Sequence, residues 1–201
     1  MVYHYSYGRT PNRYALGANH PPSQPRSGAL ETPTVWQDTG VFMLRQLSPW
    51  FENLSKRQVN APKVFVRDSG LLHTLLGIAN RRDLELHPKV GASWEGYAVE
   101  EVLKALRPDE AYYWATHQGA EIDLLLFKNG RRVGVECKRS DAPTMTPSMR
   151  IALEDLKLDR LVVVYPGERR YVLTDRVDVI PLIELADPGG DSARLFRKRR
   201  R

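Results

Sequence analysis

Cysteine is almost missing from this chain: Cys137 is the single one in 201 residues. One thiol excludes an internal disulfide and leaves no basis for a thiolate zinc site, and it fits a reducing cytoplasm, where we expect the protein to reside. Long apolar runs are missing as well. No stretch approaches the roughly 20 apolar residues that span a bilayer, and the N-terminus, rich in Tyr, Pro and Arg, lacks the apolar centre of a signal peptide, so no membrane association is expected. The five histidines, His4, His20, His73, His87 and His117, show no ligand spacing such as His-x-x-x-His and read as structural or solvated. A phosphate-binding Gly-x-x-x-x-Gly-Lys-Ser/Thr loop is also lacking. The nearest match runs from Gly91 to Gly96 and is followed by Tyr97 and Ala98, so it has neither the lysine nor the hydroxyl that hold phosphate and magnesium. No ATP site is expected in this chain.

Charge of one sign is scarce outside the end of the chain. The formal net charge is +6, and Arg194, Arg197, Lys198, Arg199, Arg200 and Arg201 supply six positive charges by themselves, leaving the body neutral. We therefore expect 187–201 to be a basic disordered tail able to touch phosphate without sequence preference. Residues 1–34 are rich in Pro and Gly and show no period of 2 or 3.6, which predicts a disordered extension.

What is present centres on residues 118–140, QGAEIDLLLFKNGRRVGVECKRS. Asn129-Gly130 between two apolar runs is a strong signal for a two-residue hairpin turn in which both central residues have positive φ. With that turn, Lys128 pairs with Arg131, and stepping outward sets Asp123 opposite Glu136 and Glu121 opposite Lys138. Alternation then puts those four side chains on one face. The other face, Ile122, Leu124 and Leu126 against Val133, Val135 and Cys137, is wholly apolar and should be core. Two carboxylates facing each other with Cβ atoms roughly 5 Å apart repel unless a cation lies between them. A divalent metal would supply it. The alternative is a solvated hairpin face carrying a Glu-Lys pair.

The rest of the chain supplies a frame. Val41 to Leu44 and Lys63 to Arg67 read as two short strands, and the loop joining them carries Lys56, Arg57 and Lys63 with Trp50 and Phe51, a basic and aromatic mixture that either meets nucleic acid or packs on a neighbour. Leu71 to Gly77 reads as a short helix with a glycine stop. The clearest helix is 93–106, with Ser93 as N-cap, Pro108 beyond its end, and a stripe of Trp94, Ala98, Val102 and Ala105 widened by Val99, Leu103 and Leu106. Glu95 borders that stripe, as a dipole-favoured first-turn acid or as a site acid; Glu100 and Glu101 lie away from it. Ala111 to Ala115 reads as a strand, Met145 to Leu156 as a crossover helix and Leu161 to Tyr165 as a strand buried on both faces and parallel to its neighbour. Tyr171 to Leu173 and Val177 to Leu182 read as edge pieces.

The segments "FVRDSGLL", "GASWEGYAVEEVL", "QGAEIDLLL" and "GVECKRS" together resemble the domain of unknown function that follows the ATPase module in many bacterial AAA-type ATPases. The resemblance covers about residues 35–185. It implies an α/β, restriction-endonuclease-like (PD-(D/E)xK) core over 81–186, ordered helix, three strands, helix, strand, preceded over 35–80 by a partial winged-helix-like segment. Asp123 with Glu136-Cys137-Lys138 resembles the acid-acid-lysine layout of those nucleases, and the resemblance places the helix acid at Glu95. The implied catalytic set is Glu95, Asp123, Glu136 and Lys138, with Asp123, Glu136 and Glu95 holding Mg²⁺ or Mn²⁺ and DNA as the expected partner. Lys138 would orient or deprotonate the attacking water or stabilise phosphoryl charge. Glu121 either holds the Lys138 ammonium or is a surface acid. A full-length member would carry its ATPase module upstream, and that module's signature is not in this sequence, so a separate or lost AAA-type ATPase is the further expected partner. Two competing expectations stand beside the nuclease: a non-catalytic DNA-binding or assembly module forming the C-terminal part of an AAA-type ATPase, and a nucleic-acid binder acting through the arginine tail.

Overall fold

The computed structural model describes residues 43–186 and 195–196. The extension expected over 1–34 lies outside them. So does the tail expected over 187–201, apart from Leu195 and Phe196, which are buried in the core.

The chain begins with a two-stranded antiparallel sheet, β1 (Leu44–Leu47) and β2 (Lys63–Val66), followed by α1 (Ser69–Leu75) and α2 (Arg81–Leu86). The start of each helix has a local cause. The Asp68 carboxylate accepts the Leu71 N–H at 2.8 Å and the Asn80 amide oxygen accepts the Asp83 N–H at 3.0 Å, satisfying amides that the first turn leaves free. Gly77, just past α1, has φ +69, a conformation that glycine adopts without a Cβ clash. The loop 48–62 packs rather than projecting. Trp50 packs at tilted angles against Tyr112 and Phe127, with 5.1 and 4.8 Å between ring centroids, and its backbone N–H donates to the Tyr113 carbonyl.

Next come α3 (Val90–Leu106), β3 (Glu110–Ala115), β4 (Glu121–Lys128), β5 (Arg131–Cys137), α4 (Pro147–Asp155), β6 (Arg160–Tyr165), β7 (Tyr171–Thr174), β8 (Val177–Pro181) and α5 (Leu182–Ala186). The six strands form one mixed sheet in the order β3-β4-β5-β6-β8-β7. β3, β4 and β5 run antiparallel, β5, β6 and β8 parallel, and β7 returns antiparallel. The protein is thus a mixed α/β molecule. A crossover through α4 joins β5 to β6, as a parallel pair requires. Thr146 caps α4 and Pro147 opens it, where a missing N–H costs nothing.

Both faces of the sheet are covered. On one, Ala98, Val99, Val102 and Leu106 of α3 meet Leu124, Leu126, Val133, Val135 and Cys137, together with Leu47, Phe65 and Leu185. On the other, Met149 and Ala152 of α4, with Leu156, meet Ile122, Leu125, Leu161 and Val163. Each fully buried Val or Leu contributes roughly 1.5–3 kcal/mol of transfer free energy, so these two layers decide the fold.

Three expectations are corrected. α3 starts at Val90, with Lys89 at its cap and no side-chain cap bond; Ser93 is already inside the helix, buried, with its hydroxyl 2.8 Å from His73 Nε2. The strand at 177–181 is not an edge piece: it lies between β6 and β7 and is buried along its length, pairing with β6 over Val177–Pro181 and with β7 over Val177, Asp178 and Val179. Glu100, away from Glu95 on the same helix, is buried and accepts hydrogen bonds from Arg45 and Arg67. The hairpin's apolar residues, finally, do not share one face. Between Tyr112 and Trp114 of β3, β4 contains one extra residue, so Asp123 and Leu124 together oppose Tyr113. This bulge sends Ile122 to the α4 layer, while Leu124 and Leu126 stay in the α3 layer.

Candidate functional site

The turn forms as the dipeptide predicts. Asn129 and Gly130 have φ +51 and +70, and Lys128↔Arg131 leads in register to Leu124↔Val135. There the ladder stops. Asp123 does not complete a pair with Glu136; its Oδ2 accepts the Cys137 backbone N–H at 2.8 Å. Beyond that point β5 is held from its other side, with the Lys138 N–H donated to the Val164 carbonyl. The two strands therefore part where the acids begin.

Because of the bulge, Asp123 is turned toward α3, where Glu95 meets it one turn into the helix. Glu121, Asp123 and Glu95 each offer a carboxylate oxygen, and these oxygens lie within 4.8 Å of one another. A residue that the sequence reading left in the basic loop region joins them. Lys63, the first residue of β2, places its ammonium 2.9 Å from Glu95 Oε1 and 3.4 Å from Asp123 Oδ1 and pairs with Glu121. Its side chain is 3% exposed, and Nζ stands 5.4 Å from the centroid of the Tyr113 ring.

Glu121 therefore does not face Lys138, as the extrapolated register required; Lys63 takes it, and Lys138 pairs with Glu136 at 2.5 Å. Of the four residues expected to form the site, the fold brings Glu95 and Asp123 into one cluster. Glu136 and Lys138 form a second pair alongside. Glu136 is buried, and its Oε2 has no hydrogen-bond partner among the described residues.

The electrostatics follow from this packing. Burial pushes the Asp123 carboxyl up to about 6, and the Glu95 charge adds to that against the pull of Lys63. Burial also pushes Glu136 up to about 7, with the Asp123 charge next in importance. Burial works against the charge on Lys63, but Asp123, Glu95 and Glu121 outweigh it and hold the ammonium above the ordinary lysine range. Lys138 is likewise opposed by burial and raised on balance, chiefly by Glu136. The Cys137 thiol is driven well up by burial and then by Asp123, which leaves it an inert side chain of the core.

One signal in the sequence did point to Lys63. In Lys63-Val64-Phe65-Val66 the aromatic Phe65 marks the inward face, and a period of 2 puts Lys63 on the same face. A lysine facing inward requires acids around it.

Residues 90–185 match the model of a domain of unknown function, DUF4143. Residues 39–82 match a second, DUF8612, also a domain of unknown function. The chain is similar to two curated proteins, the uncharacterized protein Mb2031c of Mycobacterium bovis and the uncharacterized protein Rv2008c of Mycobacterium tuberculosis, each 49% identical over 151 residues. That alignment takes in 75% of this chain and 34% of each relative, so the chain spans about a third of the length of the curated proteins it matches. No solved structure matches it. The site acids Glu95, Glu121, Asp123 and Glu136 all fall inside the DUF4143 match, whereas Lys63 comes from the DUF8612 match. No helix among the described residues is long and apolar enough to cross a membrane.

Proposed function

We propose that the DUF4143 part of this chain is a metal-dependent nuclease-like domain that engages DNA and hydrolyses a phosphodiester where β4 and β5 part. One observation carries the reading: Glu95, Glu121 and Asp123, from a helix and a neighbouring strand, converge within 4.8 Å beside the Glu136–Lys138 pair. The donor set fits Mg²⁺ or Mn²⁺, since every donor is a hard carboxylate oxygen, and the unpartnered Glu136 Oε2 next to Asp123 leaves a further one to use. Glu95, Asp123 and Glu121 would hold the ion, with Glu136 adjoining. An ion in that place would polarise a phosphoryl oxygen and acidify a water.

The chain's own groups divide the remaining work. Lys138, raised and therefore protonated at neutral pH, contributes positive charge to the phosphate instead of removing a proton from water. Glu136, pushed up to about 7, is suited to accept or release a proton at its carboxyl near neutrality. The element order α3, β3 to β5, α4, β6 supports reading the core as restriction-endonuclease-like, preceded by the partial winged-helix-like segment expected over 35–80.

A second reading has its own observation. The Lys63 ammonium pairs with Glu95, Glu121 and Asp123 without any metal, which favours a non-catalytic DNA-binding or assembly module working as the C-terminal part of an AAA-type ATPase. Purified protein with Mg²⁺ or Mn²⁺ and labelled linear, branched and supercoiled DNA separates the two. Cleavage by the wild type that falls about 100-fold or more in Asp123→Ala and Lys138→Ala, a loss of the size expected when a charged transition-state contact is removed, supports the nuclease. No cleavage, or equal rates in all three proteins, rules it out, and binding without cleavage favours the assembly module.

A further inference from the structure

We infer that Lys63 is a tethered competitor of the metal: its ammonium occupies the position among Glu95, Glu121 and Asp123 that a divalent ion needs, and an ion enters only when that ammonium leaves. This rests on the metal-site reading above and adds a gate to it.

The geometry carries the inference. Nζ contacts an oxygen of each of three carboxylates, and those carboxylates are the same three whose oxygens lie within 4.8 Å of one another. Oxygen ligands stand at about 2.0–2.6 Å from Mg²⁺, Mn²⁺ or Ca²⁺, so an ion at that centre and the ammonium overlap. The lysine is not a flexible surface side chain resting on the cluster by chance. Its side chain is 3% exposed and it stands over the Tyr113 ring, whose hydroxyl donates to the Ala61 carbonyl two residues before Lys63.

β2 itself is clamped. Lys63 pairs with Leu47 of β1, and Phe65 lies so close to α3 that a Cβ on Gly96 would stand 3.3 Å from the Phe65 ring. Glu100, one helical turn further along α3, accepts from Arg45 of β1 and from Arg67 just past β2. The ammonium is thus held in the acid cluster by a segment whose own seat is a separate buried ion cluster on the same helix. Withdrawing Lys63 takes either a change of its own rotamer or a shift of β2 along α3. Residues 43–82 then govern access to a site built by 90–185.

The cluster is not saturated by the lysine. Three carboxylates against one ammonium leave an excess of negative charge, and the neighbouring buried Glu136 keeps one oxygen unpartnered. A divalent ion is the cation that matches this excess.

The test is Mn²⁺ binding to the full chain, followed by titration calorimetry and by electron paramagnetic resonance of the free ion, for wild type, Lys63→Met and Lys63→Arg. The expected result is a Kd for Lys63→Met at least about tenfold lower than that of wild type, with Lys63→Arg as weak as wild type. If Lys63→Met unfolds without metal because its three acids lose their cation, recovery of its circular dichroism on adding Mn²⁺ supports the inference. A measurement on the unaltered protein covers the remaining case: acylation of amines read by mass spectrometry should label Lys63 faster in saturating Mn²⁺ than in its absence. Equal Mn²⁺ affinity in wild type and Lys63→Met, or Lys63 labelling that Mn²⁺ leaves unchanged, overturns the inference. Tighter Mn²⁺ binding by Lys63→Met with no DNA cleavage by either protein keeps the gate and removes the nuclease. Cleavage by the wild type with equal affinities does the reverse.

Discussion

The two ends of the β4–β5 hairpin obey different rules. At the closed end, Asn129 and Gly130 take positive φ, and the register they set runs without error to Leu124 and Val135. At the open end the same register, extended by one residue, fails. Asp123 accepts from the Cys137 backbone, Glu121 goes to Lys63, and Lys138 goes to Glu136. The closed end is specified by two adjacent residues. The open end is specified by a strand 60 residues earlier, a helix 28 residues earlier and a bulge against β3. Local turn chemistry fixes pairing for as long as nothing stronger competes, and a buried ammonium among carboxylates is stronger.

The largest measurable difference between the two ends should be in pH dependence. Asp123 is pushed up to about 6 from an ordinary 3.8, and Glu136 to about 7 from 4.5. A carboxyl whose folded value is raised binds its proton more tightly in the native than in the unfolded chain. Well below pH 4 both states are protonated and nothing is lost; between about pH 4 and 7 the unfolded chain has released protons that the native state still holds, so stability falls across that window and levels off once the native groups have ionised. At about 1.4 kcal/mol per unit, the two groups together cost on the order of a few kcal/mol by pH 8. Urea midpoints of the metal-free protein at pH 5 and pH 8 should show the loss, and the double variant Asp123→Asn, Glu136→Gln should be much flatter. Parallel pH curves for the two proteins would contradict this account of the open end.

How much of this was legible follows the same division. The type of turn, the inward stripe Ala98, Val99, Val102 and Leu106 of α3, the crossover helix behind Thr146 and the parallel β6 are readable because each is set by the spacing of neighbouring residues. Glu95 stood out as an acid bordering an apolar stripe and was placed in the site by the resemblance, while Asp123 was reached through a pairing with Glu136 that the fold does not make. Lys63 was missed because its burial depends on partners that no local window contains, and it was read with the exposed lysines of the loop before it. The bulge at Asp123 and Leu124 was missed for a related reason: Ile-Asp-Leu-Leu-Leu alternates acceptably in either register, and only Tyr113 on the neighbouring strand decides between them. β8 looked peripheral because it is the last strand in sequence, whereas topology places it inside.

A smaller effect tests the closed end. Gly130 has φ +70, and a Cβ there meets no atom within 4 Å, so Gly130→Ala introduces strain with no clash. The expected cost is about 1 kcal/mol, the usual penalty for an L residue held in the left-handed region. Because the site is set from elsewhere, the acid cluster should be untouched. The urea midpoint should fall while the pH dependence of stability keeps the wild-type shape. A changed pH profile in Gly130→Ala would mean that the turn does reach the site, and the two ends could no longer be treated separately.

The smallest effect is the most discriminating. Glu121 is the acid on which the two arrangements disagree: extrapolated pairing gives it to Lys138, the folded chain to Lys63. Its side chain is 41% exposed, so solvent screens the pair, and its worth in a double-mutant cycle should be no more than about 0.5–1 kcal/mol. A cycle of Glu121→Gln with Lys63→Gln should return a coupling of that size. The parallel cycle with Lys138→Gln should return a value within error of zero, about 0.3 kcal/mol. The comparison is made on metal-free protein, since an ion in the cluster would replace the contact being measured. Coupling to Lys138 larger than to Lys63 would restore the extended register, reduce β2 to a bystander and remove the basis for a lysine gate. Coupling to Lys63 alone would mean that the open end of the hairpin is completed by a segment outside it, and that the chemistry of Glu121 cannot be read from β4 and β5 by themselves.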